Sequence, residues 1–171
     1  MNMAENEKRG INQKVNEELK RLLEIAEAKK QHMQQILELT RKQSEVLSAQ
    51  QVDKLLAYIQ DKQEHIDAIK ALDEEFSDIF EEIKEKVRSG SFKDDNPEGY
   101  DLYVMLRASI SEIKDMVEAV CALETQNQNR VREVIQDVKA RISNINRGKR
   151  GYSAYKQQMP QADGVFIDQR K

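Results

Sequence analysis

The side chains with the chemistry for metal binding or nucleophilic catalysis are His32, His65 and Cys121. Imidazole and thiolate groups bind transition metals, and they also act as bases or nucleophiles. Metal sites in helical bundles place a carboxylate three residues before each histidine, but Lys29 and Lys62 occupy these positions here. One cysteine excludes a disulfide within the chain. The glycines stand singly and not in a phosphate-binding loop. The sequence therefore predicts no metal, no cofactor and no enzyme.

The composition is that of exposed helices and coiled coils and differs from that of a broad globular core. Charged residues make up 35% of the 171 residues and aromatic residues 5%, with no tryptophan. A net charge of −3 argues against nucleic-acid binding by the whole molecule. No apolar run approaches the roughly 20 residues that cross a bilayer, and the N-terminus is polar, unlike a secretory signal. These features predict a cytoplasmic protein without membrane insertion.

The hydrophobic pattern predicts an all-α fold. Apolar residues return at alternating steps of three and four, as on one face of a helix. We expect a long antiparallel helical hairpin with a third helix packed along it, coiled-coil-like, and a flexible C-terminal tail. The predicted helices cover residues 11–47, 49–88 and 100–146; they form an elongated three-helix bundle over residues 1–147, followed by a tail with aromatic anchors at 148–171.

The corner of the hairpin is predicted where the pattern loses phase. Leu47 and Val52 are five residues apart, which breaks the three–four alternation. Ser48 and Gln51 have the spacing of a capping box, and Leu47 and Val52 that of a hydrophobic staple. The alternative is a continuous rod with a skip in its heptads.

The third helix is the stronger candidate for partner binding. Met105 and Met116 adapt to varied surfaces, and an apolar stripe of this kind accepts a partner helix. Its valine-rich face includes Val131, Val134 and Val138. Glu124 and Asn127 interrupt the apolar seam, where polar residues set register, or they lie just off it. The alternative for the apolar face is packing on the hairpin or in a homodimer.

The C-terminal tail is the second candidate, because its aromatic and aliphatic side chains lie in a segment too short to bury them. They are Tyr152, Tyr155, Phe166 and Ile167. The alternative is an unstructured terminus with incidental aromatics, and contact with RNA ranks low. Residues 147–171 carry six bases and two acids, whereas residues 73–98 carry ten acids and four bases. This asymmetry predicts a loose contact between the two segments.

Two parts of the chain resemble the flagellar export chaperones of the FlgN type. The resemblance covers roughly residues 25–87 and 148–171. In the first helices its residues are Leu39, Thr40, Gln43, Leu47, Asp53, Leu56, Ile59, Lys62, Gln63, Ile66, Asp67, Ile69, Leu72, Asp73 and Phe76. In the tail they are Tyr152, Tyr155, Phe166, Ile167, Asp168, Arg170 and Lys171.

The resemblance implies a cytoplasmic, non-enzymatic chaperone of the flagellar type III export system. Such chaperones hold the flagellar hook-associated proteins, which form the hook–filament junction, by their terminal helices, and they dock on the export gate through a C-terminal aromatic. Tyr152 and Tyr155 are the candidates for that gate contact, and the third helix and tail together are implied for cargo. Two alternatives stay open: the related filament-cap export chaperone, and a self-assembling coiled-coil scaffold.

Overall fold

Helices and the turns between them make up the whole of the described chain. The computed structural model describes residues 3–48 and 51–158, with side chains described for residues 5–48 and 51–153. In chain order the elements are α1 (Met3–Glu45), α2 (Val52–Val87), the short α3 (Phe92–Asp95) and α4 (Pro97–Gln158). No strand occurs in these ranges. The prediction of an all-α fold is confirmed.

The first two helices form the predicted antiparallel hairpin. Lys14 near the start of α1 pairs with Glu82 near the end of α2, at 3.1 Å between Nζ and Oε2. Further along α1, Lys29 pairs with Asp73. The sequence numbers rise on one helix as they fall on the other, so the two helices run in opposite directions.

The long fourth helix packs against α1 and runs parallel to it. Lys20 pairs with Glu98 at 3.4 Å, and Lys30 pairs with Glu112 further along both helices. The helix α1 therefore lies between α2 and α4 and contacts both. Exposed ion pairs of this kind contribute little each, so the packing of the apolar core has to hold the three helices together.

The apolar core lies at the end of the bundle away from the hairpin corner. Leu19 and Leu22 of α1 are completely buried, and Leu106 of α4 is 1% exposed. The buried members of the core are Val15, Leu19, Leu22, Ala26, Ile83, Val87, Phe92 and Leu106. Those of α1 follow the three–four spacing that places side chains on one helix face. The core therefore joins all four helices at this end.

A pair of buried asparagines fixes the start of α4 on α1. The Gly99 N–H donates to Asn96 Oδ1 at 3.1 Å, and Asn96 Nδ2 donates to Asn16 Oδ1 at 2.7 Å. Asn96 thereby caps α4, and Pro97 takes the first helical position, where no backbone N–H is needed. A Cβ at Gly99 would lie 2.3 Å from Asn96 Nδ2, so only glycine fits there without displacing the cap. The helix begins three residues earlier than the predicted residue 100.

The hairpin corner lies where the loss of phase predicted it, between Glu45 and Val52. The predicted capping box is wrong. Gln51 is the N-cap of α2 and its side chain makes no capping hydrogen bond. The carbonyl oxygen of Ser48 accepts from the Gln51 N–H at 3.2 Å, so Ser48 belongs to the turn and not to the helix start.

Two predicted helix ends are also corrected. The first helix begins at Met3 and not at residue 11. Gly10 lies inside the helix and does not mark its start. The last helix continues through Gly148 and Gly151 to Gln158, although it was expected to end at residue 146. An interior glycine costs a helix only about 1 kcal/mol relative to alanine. Residues 148–158 of the predicted tail are thus helical, and residues 159–171 lie outside the described residues.

Candidate partner-binding surface

The long fourth helix continues beyond the end of α1. The last hydrogen bonds between the two helices are made by Asn127 and Arg130: Asn127 Nδ2 donates to the Thr40 carbonyl at 3.0 Å, and Arg130 Nη1 donates to the Ser44 carbonyl at 2.9 Å. The helix α1 ends at Glu45, whereas α4 continues to Gln158. We call residues 131–158 of α4 the distal arm. At 1.5 Å per residue it is about 42 Å long.

A polar cluster joins three helices at the base of this arm. Lys62 Nζ of α2 donates to Gln43 Oε1 of α1 at 2.7 Å and to Glu124 of α4. Ser44 Oγ donates to Asn127 Oδ1 at 2.5 Å, and Asn127 is 5% exposed. Of the two alternatives that the sequence left open, the structure therefore places Glu124 and Asn127 within the seam. Buried polar groups that are fully satisfied specify one register, so this cluster determines where the arm leaves the bundle.

An apolar groove lies immediately beyond the polar cluster. Its walls come from the hairpin corner and from the first turns of the arm, and its volume is about 370 Å³. We call this surface the corner groove; its main apolar residues are Leu47, Val52, Leu55, Val131, Val134 and Val138. Val52 is 48% exposed and Val138 is 37% exposed. The groove is thus open to solvent on one side, as a site for a partner side chain or helix would be.

An apolar stripe continues from the corner groove along the arm. Every residue from Ile135 to Ser153 is exposed. Val138, Ile142, Ile145 and Tyr152 are spaced by four, three and seven residues, which places them on one helix face. Ile142 and Ile145 are 53% and 57% exposed. A contiguous apolar stripe exposed on a protein surface is typical of an interaction site, so this stripe has the character of an uncovered docking face.

The structure describes the side chains of four predicted site residues. Three of them lie together, and the fourth lies apart from them. Val131, Val134 and Val138 all line the corner groove. Tyr152 lies on the arm, 70% exposed. The backbone of Tyr155 lies within α4 but its side chain is outside the described residues, as are Phe166 and Ile167. The sequence reasoning missed Leu47, Val52 and Leu55 as the opposite wall, although the phase break had already placed two of them at the corner.

Within the described residues, no ion pair joins the basic segment to the acidic residues 73–98, and residues 159–171 of that segment lie outside the described residues. Because α4 runs parallel to α1, the distal arm leaves the bundle at the corner end. The acidic segment lies at the other end, where Asp95 pairs with Lys8 and Glu98 with Lys20. Hydrogen bonds from Lys8 and Ser91 hold the pKa of Asp95 below its ordinary value. Asp95 and Glu98 therefore already have partners in the N-terminal part of α1.

The two histidines, which the sequence placed on different helices, lie next to each other. His32 Nδ1 of α1 is 2.9 Å from His65 Nδ1 of α2, and the ring centroids are 5.2 Å apart. One nitrogen donates and the other accepts, so the pair is a hydrogen bond between the hairpin helices. Among the described residues, no group of three or more histidine, cysteine or acidic side chains has the geometry to hold a metal ion.

None of the described helices combines the length and the apolar character needed to cross a membrane.

Comparison with known proteins gives one family match. A family model described as "FlgN protein" matches residues 18–160, which include most of α1, all of α2 and α3, and α4 to its end. The curated proteins and the solved structures contain no significant match. The matched range covers the core except Val15, and it covers the polar cluster, the corner groove and the arm. The chain therefore belongs to the FlgN family, the family of flagellar export chaperones.

Proposed function

We propose that this protein is a cytoplasmic type III export chaperone for the flagellar hook-associated proteins, which form the hook–filament junction. It binds their terminal helices, prevents premature assembly and delivers them to the flagellar export gate. Membership of the FlgN family supports a flagellar export chaperone in general. The observation that carries the finer proposal is the corner groove and its continuation as an exposed apolar stripe, because this surface is long enough for a helix and open to it.

The proposed binding mode is a helix in a groove. An amphipathic helix would place its apolar face between Leu55 of the hairpin and Val134 of α4, both of which line the corner groove. Further along, the partner would cover Ile142 and Ile145, which are more than half exposed. A contact of this kind excludes water from the apolar faces of both helices. It also covers the apolar face of the cargo helix, which is then not free for premature assembly.

A homodimer or a self-assembling scaffold would have to cover the same stripe with a second copy of the arm. Residues 138–153 carry five bases and no acid. Two such arms side by side would juxtapose like charges, which destabilises helix pairing. The charge of the arm therefore favours a different partner over a second copy.

The cargo is identified by co-purification with the full chain, tagged at its N-terminus, from the bacterium that encodes it. We expect hook–filament junction proteins in a small complex of defined stoichiometry by size-exclusion chromatography, and their loss from the variant Val138→Asp. Recovery of the filament-cap protein alone would support the related chaperone instead. Recovery of only the tagged chain, in assemblies that grow with concentration, would contradict the chaperone and support the scaffold.

The gate contact is proposed for Tyr152, which is 70% exposed near the end of the described arm. An exposed aromatic ring is a frequent anchor of protein interfaces. We expect Tyr152→Ala to lower secretion of the junction proteins several-fold while the complex with cargo is retained. Secretion is measured in the culture supernatant and complex formation by co-purification. Unchanged secretion, or a parallel loss of cargo binding, would contradict a separate gate contact at Tyr152. The variant Tyr58→Ala removes a partly buried tyrosine from α2 and is the control for loss of a tyrosine elsewhere in the chain.

A further inference from the structure

Charge is distributed unevenly along the molecule, and residues 138–153 of the distal arm contain bases but no acids. Residues 138–153 contain Lys139, Arg141, Arg147, Lys149 and Arg150 and no aspartate or glutamate. The chain as a whole is acidic, with a net charge of −3. Residues 138–153 are thus a basic segment on an acidic protein, and the two acids of the arm, Glu133 and Asp137, lie nearer the bundle.

Many bases of the bundle form ion pairs within the chain, in contrast to the five bases of residues 138–153. Pairs such as Lys20–Glu98 and Lys30–Glu112 join the helices of the bundle. Within the described residues, no ion pair includes a base from the 138–153 segment. No ion pair of the described fold therefore neutralises the bases of residues 138–153.

Some of these bases lie on the same helix face as the apolar stripe. Lys149 is four residues after Ile145 and three before Tyr152, so it continues the stripe itself. Arg141 is three residues after Val138 and four before Ile145, which places it along the edge of the stripe. Arg147 and Arg150 lie outside the stripe, on a neighbouring part of the helix surface, where they line a shallow depression with Ile142. A partner on this face meets apolar groups near the bundle and positive charge towards the tip.

We propose that the distal arm binds an acidic amphipathic helix, whose apolar face covers the stripe and whose carboxylates pair with the arm bases. The inference rests on the proposed function and specifies the chemistry of the captured segment. The concave corner groove favours a helix over a flat lipid surface, because Leu47 and Leu55 rise beside the valines of α4. Complementary charge then fixes which helices are accepted and which are rejected.

The test uses the full chain and two synthetic 21-residue helical peptides that share one apolar face. One peptide carries glutamates beside that face and the other carries lysines. Binding is measured by fluorescence anisotropy at 50 and 500 mM NaCl. We expect the glutamate peptide to bind at least tenfold more tightly than the lysine peptide at low salt, with a smaller difference at high salt because exposed charges are screened.

A matched pair of triple variants tests whether the bases of the arm are responsible for the preference for the glutamate peptide. The variant Arg147→Gln, Lys149→Gln, Arg150→Gln is expected to lose at least tenfold in affinity for the glutamate peptide. The control Lys70→Gln, Lys86→Gln, Lys114→Gln removes the same charge from exposed sites of the bundle and is expected to bind normally. Equal binding of both peptides, equal loss in both variants, or tighter binding of phosphatidylglycerol vesicles or of a single-stranded RNA would overturn the inference.

The same variants separate this inference from the proposed function. A junction protein that binds the arm triple variant as tightly as the unmodified chain would contradict the acidic partner while leaving the chaperone proposal intact. Capture of the glutamate peptide without recovery of any junction protein would contradict the proposed cargo and support the charge-based recognition.

Discussion

Val138→Asp is expected to weaken binding of a hook–filament junction protein by about 100-fold, which corresponds to about 2.7 kcal/mol. Val138 lies at the point where the corner groove passes into the apolar stripe of the arm. A partner helix would bury the new carboxylate against apolar side chains, which is costly without a compensating partner. The acidic partner proposed above would also repel it. The affinity is measured by isothermal titration calorimetry with purified components.

Val117→Asp is the matched control for this effect. Val117 is a valine of the same helix with nearly the same exposure, 39% against 37% for Val138, but it lies on the part of α4 that is packed beside α1. We expect this control to retain binding, and both variants to keep the helical circular dichroism of the unmodified chain. Similar losses of affinity in both variants would show that the corner groove is not the binding surface.

Leu22→Ala is expected to lower the free energy of unfolding by about 2–5 kcal/mol. Leu22 has no exposed surface and packs in the core that joins the helices at the end of the bundle away from the corner. The substitution removes buried apolar volume and leaves a cavity. Because alanine and leucine both favour helix, intrinsic propensity contributes little to the change. Urea denaturation followed by circular dichroism at 222 nm measures the difference.

The control for the core is Leu56→Ala on α2, where the side chain is 57% exposed. The same atoms are removed from a surface site, and we expect a change within about 0.5 kcal/mol. Comparable destabilisation by both substitutions would mean that the fold does not depend on the core described here. A selective effect of Leu22→Ala would support α1 as the helix on which the others pack.

Much of the fold follows from the spacing of apolar residues. The break in phase at Leu47 and Val52 located the hairpin corner, and the polar positions Glu124 and Asn127 proved to be part of the seam. The extent of α4 was harder to predict, because Gly148 and Gly151 are typical of helix ends but cost too little to stop a helix by themselves. The start of α4 depended on the contact of Asn96 with Asn16, eighty residues away in the chain.

The sequence predicted the wall of the corner groove that α4 provides, but not the wall that the hairpin corner provides. Periodicity along α4 identified Val131, Val134 and Val138 as a potential binding face. It did not indicate that the helix runs parallel to α1 and passes the hairpin corner, because relative direction and overlap are set by packing between distant segments. For the same reason the contact between His32 and His65 could not be foreseen from their positions in the sequence.

The polar cluster around Lys62, Glu124 and Asn127 has a mechanical consequence, because it holds α4 at the point where the helix leaves the bundle. About 42 Å of helix extends beyond that point, so a small change in the direction of α4 at the cluster becomes a large displacement at the end of the arm. A tilt of about 10° there would displace the tip of the arm by roughly 7 Å, about one and a third helical turns. Such a change in the direction of α4 would therefore move Tyr152 much further than any residue of the cluster itself.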